Sequence, residues 1–397
     1  MTAAPLRLAL VVPFYEPDAD VAPRSLQGSA LGELAAALAA RGERPWPRPA
    51  ARAPSWAPAR WSPRPRPPSP PCGPAARPAR NARAPRYGPA YFEPAWRLNA
   101  ALAQWSPQAV HSAGLTMDLN LGLTGRTAAR AAAPLLVHFH GGLPAADAFT
   151  NRLRRANARR AARVLFTHPE QAAPWVDTGI LRLDHVGQAF ETSVRITPLP
   201  RALARARTGI DGDPACLMLG RLEAVKDPVT TLAGFALIAE RRPLARLHVY
   251  ALTEGLRREC EALVAAIPGL AGRVSFRPAW PRDRMAELYS AADLLLQSSR
   301  REWSSLTVME ALACGCLPVL SSIPAFRALT DEGRVGALFP VGRPELLADA
   351  ALRLGPLERR TQAPLATRRF QEALSFEALA ERIEAEARGA LGRGAAA

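Results

Sequence analysis

Residues 297–318 read QSSRREWSSLTVMEALACGCLP, and the rest of the chain can be interpreted from this stretch. Two glutamates, Glu302 and Glu310, lie on either side of a Ser-Ser-Leu-Thr segment. A strand, a polar loop, a helix of small residues, a glycine and a new strand follow one another, which is half of an α/β unit. Ser304 or Ser305 is predicted to cap the N-terminus of the helix.

The spacing of the two glutamates limits what they can hold. If both were helical, they would lie about 12 Å apart along the axis and about 80° apart around it, too far to grip one small group together. They could hold two parts of an elongated ligand whose anionic middle lies at the helix N-terminus, where free N–H groups and the helix dipole favour negative charge. A nucleotide sugar has this shape. The alternative is two ordinary glutamates, one in a loop and one on a helix.

Chain length and charge indicate the number of domains and the kind of partner. A chain of 397 residues predicts two domains. The net charge of +16 would ordinarily suggest a nucleic-acid or acidic membrane partner. However, residues 44–92 contain ten arginines and no acidic residue, so this one segment carries +10 of the total. The remainder is only mildly basic, and no nucleic-acid partner is expected.

Cysteine usage and hydropathy favour a cytoplasmic protein. The five cysteines lack the spacing of a disulfide framework, which is typical of a reducing compartment. The opening MTAAPLRLALVVPFY predicts a β-strand rather than a signal peptide. No run approaches 18 apolar residues, so no membrane-spanning segment is expected.

The N-terminal half begins as an α/β domain and is then interrupted. Residues 6–12 predict a buried parallel strand, and residues 25–41 an Ala/Leu-rich helix. Residues 44–94 contain sixteen prolines, a density that predicts neither strand nor helix, so the segment is expected to be disordered or irregular. It is either a natural Arg/Pro-rich insertion or, as we favour, the product of two compensating frameshifts in a GC-rich gene. Translating the other two reading frames decides between them, because the frameshift hypothesis requires an apolar strand in one.

Two features of the region after the interruption carry alternative interpretations. His138 and His140 alternate on a predicted strand that runs into a Gly-Gly turn, so they point to the same side. Without a Cys/His cluster no zinc site is predicted. Either both are ordinary histidines, one packed and one in a turn, or His140 faces the cleft at the carboxyl end of a parallel strand.

A second feature is a cluster of six arginines on a helix predicted over residues 151–163. These arginines form either an ordinary solvent-exposed face or a patch that binds anionic lipid or acceptor phosphate.

In the C-terminal half, strands and helices alternate regularly, which predicts a doubly wound domain. A buried strand at 216–219 ends close to Arg221, and Asp227 with the following proline forms an N-cap and N1 pair that opens a helix. Arg221 and Lys226 thus flank a strand-to-helix turn at the carboxyl edge of the sheet. That is the expected position for phosphate-binding cations. The alternative is that both are ordinary solvent-exposed charges.

These motifs together resemble family 4 of the retaining glycosyltransferases. The motifs that carry the resemblance are Gly220-Arg221-Leu222, Lys226-Asp227, Glu302 to Glu310, 311–315 and Pro318-Val319. The resemblance is specific across 205–355, weaker at 6–42 and 96–200, and absent at 44–94. It implies the α/β GT-B architecture, in which two Rossmann-like, doubly wound parallel-sheet domains face a cleft. The expected division is an acceptor-side domain at 1–200, a nucleotide-sugar-binding domain at 201–372, and a C-terminal helix and tail at 373–397.

The resemblance also implies a role for each matching residue. Arg221 and Lys226 would bind the donor diphosphate, and the N–H groups of Leu306 and Thr307 would cap it. His140 would lie beside the reacting sugar. Glu302 would bind the transferred sugar, and Glu310 would bind the ribose hydroxyls. Neither a metal nor a cofactor is expected beyond the nucleotide-diphospho-sugar, because two cations and a helix terminus stabilise the leaving group.

Three positions depart from the family's pattern. Ser305 stands where the family has a glycine between the glutamates, residues 15–20 lack a Gly pair, and residues 324–327 lack the usual Gly-Gly and nearby acid. The second departure concerns the loop where acceptor or donor phosphate is expected. The donor half is therefore predicted to be intact, while the acceptor half is altered.

The sequence accordingly predicts a retaining, metal-independent glycosyltransferase that moves a sugar from a nucleotide-diphospho-sugar to a glycan, lipid-linked or small-molecule acceptor. The resemblance suggests bacterial cell-envelope polysaccharide synthesis, in the cytoplasm and with peripheral membrane contact through the basic surface. Two alternatives stand beside it: a catalytically impaired relative that binds donor only, and an Arg/Pro-rich binding module on an α/β scaffold. Salt-dependent binding that disappears on deleting 44–94 would favour the last.

Overall fold

The computed structural model describes residues 4–11, 30–46, 100, 102–116, 118–253 and 255–395. Its strands form two six-stranded sheets, and every recorded strand pairing is parallel. The first sheet contains β1 (Arg7–Val11), β2 (Arg44–Trp46), β3 (Ala109–Ala113), β4 (Leu135–His138), β5 (Ala161–Phe166) and β6 (Val186–Gln188). The second contains β7 (Ala215–Arg221), β8 (Arg246–Thr253), β9 (Val274–Arg277), β10 (Leu294–Gln297), β11 (Leu317–Ser321) and β12 (Ala337–Phe339).

The strand order in each sheet places a topological switch point in its middle. The first sheet runs β2-β1-β3-β4-β5-β6, and the second runs β12-β11-β10-β7-β8-β9. The chain reverses direction across the sheet between β1 and β3, and again between β7 and β10. In open α/β sheets, ligands bind in the crevice outside the carboxyl ends of the strands at such points. The predicted pair of doubly wound parallel sheets is confirmed.

Helices alternate with the strands, as the sequence predicts. Those beside the first sheet are α1 (Ala30–Ala40), α2 (Asp118–Arg130), α3 (Ala148–Ala158) and α4 (Ala173–Asp177). The others are α5 (Arg201–Thr208), α6 (Pro228–Arg241), α7 (Arg257–Ala266), α8 (Met285–Ala291), α9 (Leu306–Ala313), α10 (Pro324–Leu329), α11 (Pro344–Arg353), α12 (Pro356–Arg369) and α13 (Phe376–Ala395). Among the helices in the part of the chain that the structure describes, none combines the length and the apolar composition needed to cross a membrane.

The last helix, α13, returns to the first sheet. Leu379 and Ile383 of α13 join the apolar cluster that contains Leu8 of β1 and Leu38 of α1. An ion pair between Arg388 and Glu43 ties the same helix to the residue that precedes β2. The chain thus crosses from the second sheet back to the first before it ends.

Two expectations about the arginine-rich regions are wrong in part. The segment 44–94 was expected to contain no strand, yet its first three residues form β2, which pairs with β1 in parallel register. Pro45 is compatible with this strand because β2 lies at the edge of the sheet, where proline is accepted. The rest of the segment, and with it the insertion and frameshift hypotheses, lies outside the described residues.

The second correction concerns the arginine-rich helix predicted over 151–163. The helix ends at Ala158, and Arg163 lies in β5, because the apolar residues of that strand are needed in the sheet. Arg154 pairs with Asp118, and Arg155 donates to the carbonyl groups at 178 and 179. Arg154 and Arg155 therefore stabilise the local fold, while Arg152, Arg159 and Arg160 are exposed to solvent.

Candidate active site

The candidate site lies at the switch point of the second sheet, where the loops after β7 and β10 open at the same edge. β7 ends at Arg221, and a short turn at Ala224–Lys226 leads to Asp227. Asp227 adopts a left-handed conformation (φ 48°), and its carboxylate accepts from the N–H of Thr230 at the start of α6. The predicted N-cap is thus confirmed, and it fixes the turn that carries Lys226.

Arg221 and Lys226 line one small cavity beside the end of β7. The same cavity is lined by the ends of β8 and β10, including Tyr250, Gln297 and Ser299. The hydroxyl of Tyr250 and Oε1 of Gln297 are buried without a hydrogen-bond partner among the described residues. The Arg221 side chain is 54% exposed, and its guanidinium lies 3.3 Å from the carboxylate of Glu223. The two predicted cations are therefore brought together at one edge of the sheet.

Lys226 also meets one of the two glutamates of the opening stretch. Its ammonium group forms an ion pair with Oε1 of Glu302, and the hydroxyl of Ser299 donates to the same oxygen at 2.8 Å. Both partners are largely buried, with 23% and 12% of their side chains exposed. The sequence analysis assigned these residues to different parts of a ligand and did not predict that they touch. Since 76 positions separate them, no local pattern could have revealed the contact.

Glu310 lies at the far end of the same stretch and is almost completely buried, with 3% exposure. The hydroxyl of Tyr289 donates to Oε2 at 2.8 Å, and the guanidinium of Arg282 lies 2.7 Å from Oε1. Burial raises the pKa of Glu310 above its ordinary value, while Arg282 and Tyr289 oppose that shift. Burial, reinforced by Glu310, likewise raises the pKa of Tyr289 well above its usual value. Sequence reasoning missed both partners, which precede β10 and carry no motif.

Between the two glutamates, α9 begins with an open N-terminus. Ser305 is the N-cap, as predicted, and its hydroxyl accepts from the N–H of Val308. The N–H groups of Leu306 and Thr307 belong to the first turn, where a helix has no internal acceptors to offer. Leu306 is exposed at 40%, so this turn is accessible. The loop and the cap thus present free donors between Glu302 and Glu310.

His140 follows the carboxyl end of β4 in the first sheet. Its Nδ1 lies 2.9 Å from Oε1 of Glu191, and a third of its side chain is exposed. His138 points to the same side, as the alternation predicts, but it is buried and contacts His111. His138 is therefore an ordinary packed histidine, whereas His140 remains accessible at the end of the strand.

The loop that carries Glu302 packs directly against the first sheet. The ring of Trp303 lies perpendicular to Phe139, with centroids 5.2 Å apart. The side-chain amide of Gln171 donates to the carbonyl oxygens of Trp303 at 2.9 Å and Glu302 at 3.3 Å. A Cβ atom on Gly141 would lie only 2.6 Å from the Trp303 ring, so the absence of a side chain there permits the contact. The loop that carries Glu302 therefore contacts the turn that directly follows His140.

The described residues contain no group of three or more His, Cys, Asp or Glu side chains that could hold a metal ion.

Comparison with known proteins agrees with this geometry. A family model described as glycosyl transferases group 1 matches residues 213–355, and one described as a glycosyl transferase 4-like domain matches residues 27–182. D-inositol 3-phosphate glycosyltransferase from Mycobacteroides abscessus is 32% identical over 199 residues, which cover 49% of this chain and 43% of that protein. The chain therefore spans less than half the length of the curated relatives it matches.

Two solved structures share the fold at low identity. A glycosyltransferase from Rickettsia africae covers 98% of this chain and 99% of its own, at 11% identity and a TM-score of 0.63. Anabaena HepE in complex with UDP covers 74% of this chain and 82% of its own, at 18% identity and a TM-score of 0.56. The two parallel sheets and these structural matches show the GT-B fold. The two family models, which together match residues 27–182 and 213–355, show that the chain belongs to the group 1, 4-like glycosyltransferases.

Proposed function

We propose that the protein is a retaining glycosyltransferase that takes a sugar from a nucleotide-diphospho-sugar without a metal ion or cofactor. The observation that carries the proposal is that Arg221 and Lys226 line one cavity at the switch point of the second sheet, and that Lys226 contacts Glu302 in the loop that leads to the N-terminus of α9. As the bond between sugar and diphosphate breaks, negative charge accumulates on the leaving group. Two cations and the helix N–H groups stabilise that charge.

In this proposal the two glutamates hold the two ends of the donor. Glu310 accepts hydrogen bonds from the ribose hydroxyls, and its contacts with Tyr289 and Arg282 keep the carboxylate oriented. Glu302 accepts from hydroxyls of the transferred sugar. When the diphosphate arrives, Lys226 turns from Glu302 to the phosphate oxygens, which frees the carboxylate for the sugar.

His140 acts from the opposite wall of the cleft, beside the reacting sugar. The acceptor hydroxyl enters on the face that the nucleotide leaves, and its proton passes to the departing phosphate. This route retains the configuration at the anomeric carbon.

Several observations narrow the substrates. UDP bound to the structural neighbour HepE makes uridine donors the first candidates. D-inositol 3-phosphate, named for the relatives, points to a phosphorylated small molecule among glycan, lipid-linked and small-molecule acceptors. The cysteines in the described part of the chain are free, which supports a cytoplasmic location. In this proposal the basic surface of the protein also contacts the inner face of the membrane.

Calorimetry with UDP-, GDP- and ADP-glucose beside a nucleotide-release assay tests the proposal. We expect one donor to bind and to release its nucleotide when acceptors are supplied. Binding without release under every acceptor would identify a catalytically impaired relative. Absence of binding by all nucleotide sugars would overturn the proposal.

A further inference from the structure

Three histidines and one glutamate form a connected cluster at the carboxyl end of β4. His111 lies on β3, and His138 is the last residue of β4. His140 follows two residues later, and Glu191 follows β6. The rings of His111 and His138 lie 5.3 Å apart, and those of His138 and His140 lie 5.4 Å apart, in edge-to-face arrangements. Of the four, only His140 is predicted to have a role in the reaction. The contacts of the others determine what His140 can do.

The buried part of the cluster has one arrangement of protons. Nε2 of His138 lies 3.2 Å from the carbonyl oxygen of Ala189, which can only accept, so Nε2 carries the proton. Nδ1 of His138 is then bare, and it accepts from Nε2 of His111 at 3.2 Å. Burial lowers the pKa of His111 to about 3 and the pKa of His138 well below its usual value. Both rings therefore remain neutral, and their tautomers are fixed.

This arrangement anchors the segment that carries Glu191. His138 holds the carbonyl group of Ala189, while the N–H of Ala189 donates to the carbonyl oxygen of Phe166 at 2.9 Å. Two residues later, Oε1 of Glu191 lies 2.9 Å from Nδ1 of His140. Ring contact with His138 further restricts rotation of the His140 imidazole. The backbone two residues before Glu191 is therefore fixed by two hydrogen bonds, through the carbonyl group and the N–H of Ala189, and this places Glu191 beside His140.

We propose that Glu191 is a positioning residue for His140, which keeps the proton on Nδ1 and leaves Nε2 as a hydrogen-bond acceptor. A carboxylate can only accept, so the bond at 2.9 Å requires the proton on Nδ1. Nε2 has no recorded partner among the described residues, and a third of the side chain is exposed. The ligand group that fits this nitrogen is a hydroxyl. The consequence for catalysis rests on the proposed function; the tautomer itself does not.

The experiment uses the full chain with ¹⁵N-labelled histidine. Two-bond ¹H–¹⁵N spectra report which ring nitrogen carries the proton, and a His140→Gln sample assigns the signals. We expect wild type and Glu191→Gln to keep the proton on Nδ1, because the glutamine amide oxygen can still accept. Glu191→Leu should populate the Nε2–H tautomer. Glu191→Ala serves as a second variant if leucine disturbs folding, as judged by circular dichroism.

Turnover is measured in parallel as UDP release from UDP-glucose. Loss of the partner that orients a metal-bound histidine typically costs about 10–100-fold. We expect a loss of this order in Glu191→Leu, with recovery in Glu191→Gln. An unchanged tautomer in Glu191→Leu would overturn the proposal, as would a changed tautomer with undiminished turnover. If wild type releases no UDP, the proposed donor fails, and the tautomer alone then decides whether Glu191 positions His140.

Discussion

Replacing Glu302 with glutamine should affect nucleotide binding and turnover in opposite directions. In the present structure Glu302 and Lys226 form an ion pair, so a diphosphate must compete with the carboxylate for the ammonium group. Glutamine has nearly the same shape, and its amide oxygen can still accept from Ser299. The substitution therefore removes the competing charge without removing the neighbouring contact.

The size of the effect follows from the burial of the pair. Two unit charges about 4 Å apart attract by about 4 kcal/mol at an effective dielectric constant of 20. Both side chains are mostly buried, 23% and 12% exposed, so the lost hydration of the two ions offsets most of this attraction and leaves a net value of about 1 kcal/mol. We therefore expect UDP to bind about fivefold more tightly to Glu302→Gln. Turnover should fall about 100-fold, because the charge facing the reacting sugar is lost.

Calorimetric titration with UDP and a UDP-release assay with UDP-glucose measure the two effects on the same samples. Glu240→Gln is a matched control, because Glu240 is exposed near the end of α6, away from the carboxyl edge of the sheet. Weaker or unchanged UDP binding in Glu302→Gln would refute the competition for Lys226. Unchanged turnover would refute the role of Glu302 at the sugar.

Three further predictions address other parts of the site. Arg221→Ala should lower turnover by about two to three powers of ten while leaving the melting temperature unchanged, because its side chain is half exposed; near-normal turnover would remove it from the leaving-group site. Burial raises the pKa of Glu310, so its contribution to stability is present below its ordinary pKa of 4.5 and is lost as pH rises through the folded value. Glu310→Gln should thus gain stability relative to wild type between pH 4 and pH 7 in urea unfolding, and a pH-independent difference would contradict this. Gly141→Ala should destabilise the protein by about 1–3 kcal/mol more than Gly269→Ala. Both glycines have strongly positive φ (108° and 83°), but only at Gly141 would a Cβ atom meet Trp303, so equal losses would exclude the steric contact.

Much of the second sheet could be predicted from local patterns. The apolar run before Arg221 predicts β7, and the Asp227-Pro228 pair predicts the start of α6 within one residue. The position before a helical run of small residues predicts an N-cap at Ser304 or Ser305, and the structure shows that it is Ser305. These features depend on residues that are neighbours in the sequence, and therefore they can be predicted from a single sequence.

The contacts that define the chemistry could not be predicted in this way. Lys226 and Glu302, His140 and Glu191, and Gln171 and Trp303 join positions that are 51 to 132 residues apart. The topology brings such pairs together, and periodicity says nothing about their partners. The strand β2 was missed for a different reason, because its proline is unfavourable in a central strand but acceptable at an edge.

The most direct test of the central claim is the anomeric configuration of the first sugar released from an α-linked donor. Proton NMR during slow hydrolysis of UDP-α-glucose, with water as acceptor, reports it before the anomers equilibrate. A retaining transferase built on Arg221, Lys226 and the N-terminus of α9 should release α-glucose and UDP, with release at least about 100-fold slower in Arg221→Ala. Release of β-glucose would contradict retention, and release that is equally fast in Arg221→Ala would contradict the assignment of the site.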